Sequence, residues 1–302
     1  MPAFSMRKTT WIRQHAAALR ALLVLTVITG IIYPVAVFAV AQLPGLHDKA
    51  EGSLLRQDGR IVGSALIGQS FTDGNGAALA RYFQSRPSSS GPGDGYDPTS
   101  TSFTNLGPES IVDTLADDPD DAKQSLLTQV CARSKAVGER DGVDGRRPFC
   151  TESGVGAVLS VIGPRDAKGA VPVPDRVVSV NESCPATPFL ETYEGVRVEC
   201  AKVGEDYSAG LIVPVRGAAP AGPAVPADAV VTSASGLDPD ISPEYAGIQV
   251  SRVAKARNIS DADVRAVVHA HTRGRDLGFL GEPRVNVLEL NLELDRRYPV
   301  RN

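Results

Sequence analysis

The sequence predicts a single N-terminal transmembrane α-helix followed by an extracytoplasmic α+β domain that carries a disulfide-bearing insertion. Three observations predict it: an uncharged apolar run near the N-terminus, mixed helix-like and strand-like patterning on either side of residues 117–226, and four cysteines confined to that block. The chain of 302 residues holds 31 Lys plus Arg against 35 Asp plus Glu. Its 29 Gly and 22 Pro allow long loops but fall short of a disordered or fibrous composition. A net charge of −4 offers no basic domain, so nucleic acid is set aside as a partner.

The charges are unevenly placed. Residues 1–20 contain Arg7, Lys8, Arg13 and Arg20 and no acid, leaving 27 bases against 35 acids, a net of −8, in the other 282 residues. Between Arg20 and Asp48 no side chain is fully charged, and Ala21–Ala41 is a run of 21 residues interrupted only by Thr26, Thr29 and Tyr33. As a helix such a run reaches about 32 Å, enough for a hydrocarbon core of about 30 Å. Bases before the run and Asp48 and Glu51 after it place the N-terminus in the cytoplasm and the C-terminal domain outside the cell membrane. A cleaved secretory signal is the competing reading, since Ala39-Val40-Ala41 matches a small-x-small site; the length of the run and Pro34 within it favour an uncleaved anchor. Pro34 removes a backbone donor, so Tyr33-Pro34 marks a point of packing against membrane partners.

Beyond the span, 48–116 forms the first part of the outer domain. Gly63–Phe71 reads as a short strand and Gly76–Phe83 as a small helix, followed by a polar loop rich in Ser, Pro and Gly. The block 117–226 opens on Asp117, Asp118, Asp120 and Asp121 and contains Cys131, Cys150, Cys184 and Cys200. An even count in an exported region, with no CxxC and no neighbouring His, favours two disulfides over a metal site. Of the three possible connectivities, Cys131 with Cys150 and Cys184 with Cys200 is preferred. The second part, 227–302, begins with a strand at Val230–Thr232. Ser242 caps a helix with Pro243 at its first position, extending to about Asn258, and Ser260 opens another to about Thr272. Leu288–Asp295 alternates apolar and polar residues, the pattern of a half-buried strand.

Little in the chain supports catalysis. His269 and His271 are two apart on a helix and point away from each other, so they make no metal pair. Ser235, Asp238 and His269 lack the GxSxG elbow of a serine hydrolase, and neither a Walker A sequence nor a complete dinucleotide fingerprint occurs. One span cannot enclose a pore. The composition therefore leaves an accessory subunit, or alternatively a membrane-anchored extracellular binding module.

Seven strings carry more information: TGIIYP at 29–34, GSALIGQSF at 63–71, YFQSRPS at 82–88, YDPTSTSFTNLGP at 96–108, SASGLDPDISP at 233–243, QVSRVAKARN at 249–258 and LGFLGEPRVNVLELNLELD at 277–295. In that order they closely resemble the KdpC family, the C subunit of the bacterial high-affinity potassium-transporting P-type ATPase. Members are usually shorter, so 117–226 reads as an insertion.

The resemblance implies a non-catalytic subunit whose partners are a channel-like potassium-translocating subunit and a P-type ATP-hydrolysing subunit. It implies a catalytic chaperone that raises the ATP affinity of the latter, with potassium as the transported ion. ATP is met through the complex, and no cofactor is tightly bound. The motif residues Gln69, Arg86, Tyr96, Asp97, Asn105, Ser235 and Asp238 are candidates for the partner surface or for buried networks. So are Gln249, Arg252, Arg257, Glu282, Arg284 and Asn286, with Arg284 and Asn286 leaning toward the fold network.

Overall fold

The computed structural model describes residues 3–91, 95–100, 109–118, 120–233 and 235–300, with side chains from Thr10 onward. The chain divides into two compact units, Met1–Leu66 and Ile67–Asn302.

In the first unit, helix α1 (Ala3–Val27) runs through a π-helical turn, Ile28–Ile32, into α2 (Tyr33–Ala41). The basic tip is thus helical too, and the stretch long and apolar enough to cross a membrane is Thr10–Ala41, 32 residues with none of its surface buried. Pro34 has no N–H and its ring crowds the preceding turn, and widening that turn to the π form is one of the established accommodations. Here the Tyr33 N–H reaches back to Ile28 O, and the Thr29 hydroxyl bonds to Leu25 O at 2.8 Å. Tyr33 is 66% exposed, available to lipid or to another helix. A single turn, α3 (His47–Ala50), leads to the hairpin of β1 (Leu54–Gln57) and β2 (Arg60–Ser64). Asp58 and Gly59 join the strands with φ of 49° and 76°, the left-handed pair that two-residue hairpins favour. The strand expected over Gly63–Phe71 is therefore displaced. Pairing ends at Ser64, whose Oγ donates to Gly52 O and accepts from the Leu66 N–H, turning the chain out of the ladder.

The second unit opens with an extended stretch, and the small helix expected at Gly76–Phe83 does not form. Asp73 instead caps a tight turn by accepting from the N–H groups of Asn75 and Ala77. An eight-residue helix is marginal without tertiary support, whereas here the backbone finds side-chain partners further along the chain. Helix α4 (Leu126–Asp141) follows, capped by Ser125 at its start and by left-handed Gly142 at its end. Strands β3 (Val158–Ile162), β4 (Arg176–Ser183), β5 (Thr192–Tyr193), β6 (Val196–Ala201) and β7 (Leu211–Pro214) form a sheet of order β5-β6-β4-β3-β7, parallel only between β4 and β6. Val158, Val178 and Val180 pack on one face with Leu115 and Leu127; Leu159, Val161 and Val177 pack on the other with Phe189 and Leu190. Both faces being covered explains the apolar runs of β3 and β4. The disulfides pair as expected. Cys131–Cys150 ties α4 to the approach of β3, and Cys184–Cys200 ties the chain just past β4 to β6, with Cα separations of 5.4 and 5.1 Å.

A second core lies around α5 (Pro243–Arg257), α6 (Asp261–His271) and α7 (Val287–Arg297), against a small sheet of β8 (Asp240–Ile241), β10 (Arg284–Asn286) and β9 (Thr272–Arg273). The caps Ser242 and Ser260 form as their sequences imply. Val230–Thr232 is not a strand; a 3-10 turn at Ala227–Ala229 precedes it, with Ala229 and Val230 buried against the helices. The alternating segment Leu288–Asp295 is a helix. Asn286 caps it, and Val287, Leu290, Asn291 and Leu294 fall at helical spacing on one buried face, which the alternation also satisfies. Val137 of α4 packs into this core, so the block 117–226 begins with a helix shared by both cores.

Candidate functional site

The polar motif residues gather in three places. The first is a loop cluster formed by Gly68 and residues 86–91, 96–100, 233 and 235–239. Arg86 Nη1 donates to Asp238 Oδ2 at 2.9 Å, Ser88 Oγ to Gly236 O at 2.6 Å, and the Gly68 N–H to Leu237 O at 2.8 Å. Tyr96 has φ of 61°, an outlier for a bulky side chain. It is held by a bond from its N–H to Ser88 Oγ and by its hydroxyl donating to Arg86 O at 2.8 Å. Burial pushes the Tyr96 phenol up to about 12, so it remains a neutral donor. Gly68 is required by space: a Cβ there would lie 2.4 Å from both Asp238 O and Tyr96 Cε1.

Within this cluster Asp97 turns inward only through its backbone, its N–H bonding to Ser90 O. Its carboxylate accepts from Thr99 Oγ1 and from the Thr99 N–H, and those bonds hold its pKa below the usual value. Ser235 Oγ donates to Asp238 Oδ1 at 3.2 Å and accepts from the Leu237 N–H; no histidine is among its described partners. Gln69 lies alongside, its carbonyl accepting from Ser85 Oγ. Asn105 falls outside the described residues.

The second place is a strap, residues 80–85, whose backbone is bonded by side chains from α5 and α7. Asn291 accepts from the Phe83 N–H and donates to Phe83 O at 2.9 Å each, and Gln249 does the same for Gln84 at 2.7 and 3.2 Å. Arg252 donates to Ala80 O, Tyr82 O and Gln249 Oε1, and Arg257 to Arg81 O, Tyr298 O and Asp295 Oδ1. Beneath the strap, Asp141 is fully buried between Arg252 Nε and Arg140 Nη2, each at 2.6 Å. Gln249, Arg252 and Arg257 therefore hold the fold together.

The third place is the segment before α7. Asn286 Oδ1 accepts from the Glu289 N–H as the helix cap. Arg284 lies 3.4 Å from Asp240 and 3.5 Å from Asp276, and Glu282 pairs with Arg275 at 2.6 Å on the surface. Burial raises the Asp240 pKa against the opposing pull of Arg284. Leu277 and Phe279 project from this segment 83% and 71% exposed.

Among the described residues no cluster of His, Cys, Asp or Glu is arranged to hold a metal ion. What the three places do chemically is fix loops. The residues missed in the sequence are the ones that bind across it: Asp141, Gln84 and Asn291 meet partners 111 to 208 positions away, with no local signal to reveal them.

A family model described as the K+-transporting ATPase, c chain, matches residues 15–138 and 209–296. The unmatched stretch between them lies within 117–226 and holds Cys150, Cys184 and Cys200. A potassium-transporting ATPase KdpC subunit of Kineococcus radiotolerans is 36% identical over 295 residues, 98% of this chain and 100% of the relative. Proteins of the same description from Mycobacterium tuberculosis and Bradyrhizobium diazoefficiens are 36% and 35% identical, each over 94% of this chain and 98% of the relative. Strap, loop cluster and the helical core lie largely within the matched residues, while strands β3–β6 fall in the unmatched stretch; the chain belongs to the KdpC family, the c chains of potassium-transporting ATPases.

Proposed function

We propose that the chain is a non-catalytic accessory subunit of an ATP-driven potassium importer. It would be anchored by one span, with its basic tip in the cytoplasm and its folded domain outside. Membership of the family carries this reading. Three features support it: bases lie before the apolar stretch and none between Arg20 and Lys49, the two disulfides suit an oxidising compartment, and the phosphorylation string DKTGT of P-type ATPases is absent from the sequence.

The apolar helix docks on a channel-like potassium-translocating subunit, and the π turn at Ile28–Ile32, just before Tyr33-Pro34, gives it an irregular surface for that contact. The folded domain sits near the external potassium entrance and stabilises the assembly. As a catalytic chaperone, the subunit raises the ATP affinity of the ATP-hydrolysing subunit. Because the domain is outside and ATP inside, the effect passes through the conformation of the complex. ATP and potassium are handled by the partners, and the chain itself holds no tightly bound cofactor.

Affinity purification of the full chain from native membranes in mild detergent tests the reading. Larger multi-span partners, one containing DKTGT, should co-elute; a chain that runs alone removes the proposal.

A further inference from the structure

Between the loop cluster, the strap and α4 lies a cavity of about 360 Å³, within the usual range for small-ligand sites. Arg86, Arg133 and Arg140 line it, together with the hydroxyl-bearing Ser85, Ser88 and Tyr96, and among the described residues no acidic one does. The other cavities described each carry at least one carboxylate, such as Glu139, Asp113 or Glu182. In a chain with net charge −4 this is a local reversal of sign.

The arginines are only partly neutralised. Arg86 pairs with Asp238, while Arg140 shares Asp141 with Arg252, which does not line the cavity; with Arg133, four guanidinium groups, three of them lining the cavity, are set against two carboxylates. Arg133 forms no ion pair among the described residues; it donates to Val230 O at 3.0 Å and to Gln129 Oε1 at 3.1 Å. A guanidinium offers five N–H donors, so these two bonds leave the fork unfilled. Burial alone acts on Arg133, pulling its pKa below the ordinary value, the signature of a cation without a counter-charge. The Nε–H of Arg86 is buried with no hydrogen-bond partner among the described residues, a second unmet donor on a residue lining the same cavity.

We propose that this cavity binds a tetrahedral oxyanion of the phosphate class. Guanidinium forks match the spacing of oxygens on such an anion, and the excess of guanidinium over carboxylate around the cavity favours a charged anion over a neutral ligand. Tyr96 and Tyr245, whose phenols are both raised by burial, stay neutral beside it and add no repulsion. The oxyanion is either free phosphate or the headgroup of an anionic lipid. This assignment rests on the cavity and not on the transport reading.

The test is a phosphorus NMR titration of the full chain in detergent with inorganic phosphate, repeated with Arg133→Gln and Ala136→Glu. Ala136 is exposed on α4 and lines the cavity, so its substitution adds an opposing charge without removing a contact. Saturable binding to the native chain is expected, weakened about tenfold or more by either variant. Nanodiscs containing phosphatidic acid in place of phosphatidylcholine distinguish the sources: displacement of bound phosphate assigns the headgroup, and none assigns the free ion. The proposal is overturned by no saturable phosphate binding, or by unchanged affinity in a folded Ala136→Glu chain.

Discussion

Asp141→Asn isolates what the buried network contributes. The carboxylate is fully buried and accepts from Arg252 Nε and Arg140 Nη2 at 2.6 Å, with a third bond from Arg140 Nε at 3.1 Å. Removing one partner of a buried pair costs about 3–5 kcal/mol, because the remaining charge is left uncompensated. Here two guanidiniums lose their partner, but Arg140 keeps 24% of its side chain in contact with solvent and recovers some hydration, whereas Arg252 keeps 10%. The lower end, about 3 kcal/mol, is the working figure. For a domain of this size each kcal/mol moves the midpoint by about 2–4 °C, so the melting temperature should fall by about 6–12 °C. Arg252 also holds the strap at Ala80 and Tyr82, so hydrogen exchange at the 80–85 amides should accelerate with the melt. Thermal denaturation of the full chain in detergent measures the first effect and exchange mass spectrometry the second. A midpoint within about 2 °C of the native chain would refute the assignment of Asp141 as the keystone of this network.

Other perturbations address separate parts of the structure. Gly68→Ala would place a methyl 2.4 Å from the Asp238 carbonyl, so a drop in melting temperature of several degrees is expected; an unchanged melt contradicts the close packing of the loop cluster. Tyr96, raised to about 12, should titrate late in ultraviolet absorption. Its folded pKa exceeds the unfolded value near 10, so the stability it adds is complete below pH 10 and lost as pH rises toward 12. Tyr96→Phe should flatten that part of the alkaline stability curve, and a curve of unchanged shape counts against the assignment. Asp117, Asp118, Asp120 and Asp121 are all exposed, and changing them together to Asn should raise the apparent KM for potassium at low ionic strength if they concentrate cations. An unchanged KM discards steering by that run.

What the sequence disclosed and what it concealed follow a physical division. The long apolar helix, the caps at Ser242 and Ser260 and both disulfides were legible because each rests on a local rule of hydropathy, hydrogen bonding or spacing. Asp58-Gly59 carried an equally local hairpin signal that the turn-rich context hid. Leu288–Asp295 failed because alternate leucines serve a strand, yet together with Val287 and Asn291 they also fill a helix face; the cap at Asn286 decides the outcome. Gly76–Phe83 failed for another reason. Its backbone is bonded by Asn291, Arg252 and Arg257, and a bond between residues so far apart leaves no mark on either neighbourhood. For the motif residues, sequence left partner surface and buried network open, and in the structure Gln249, Arg252, Arg257 and Asn286 bind their own chain. The exposed Leu277 and Phe279 lie in a motif read there only for its polar members.

The central claim is that this subunit serves an ATP-hydrolysing partner without performing the chemistry. Its most direct test is the apparent KM for ATP of the potassium-stimulated ATPase, measured on the purified complex with this chain present and after its removal and re-addition. The account expects the KM to rise when the chain is absent and to return on re-addition, while a chain carrying the helix alone restores less than the full-length protein. A complex whose ATP KM and assembly are both indifferent to the chain would contradict it.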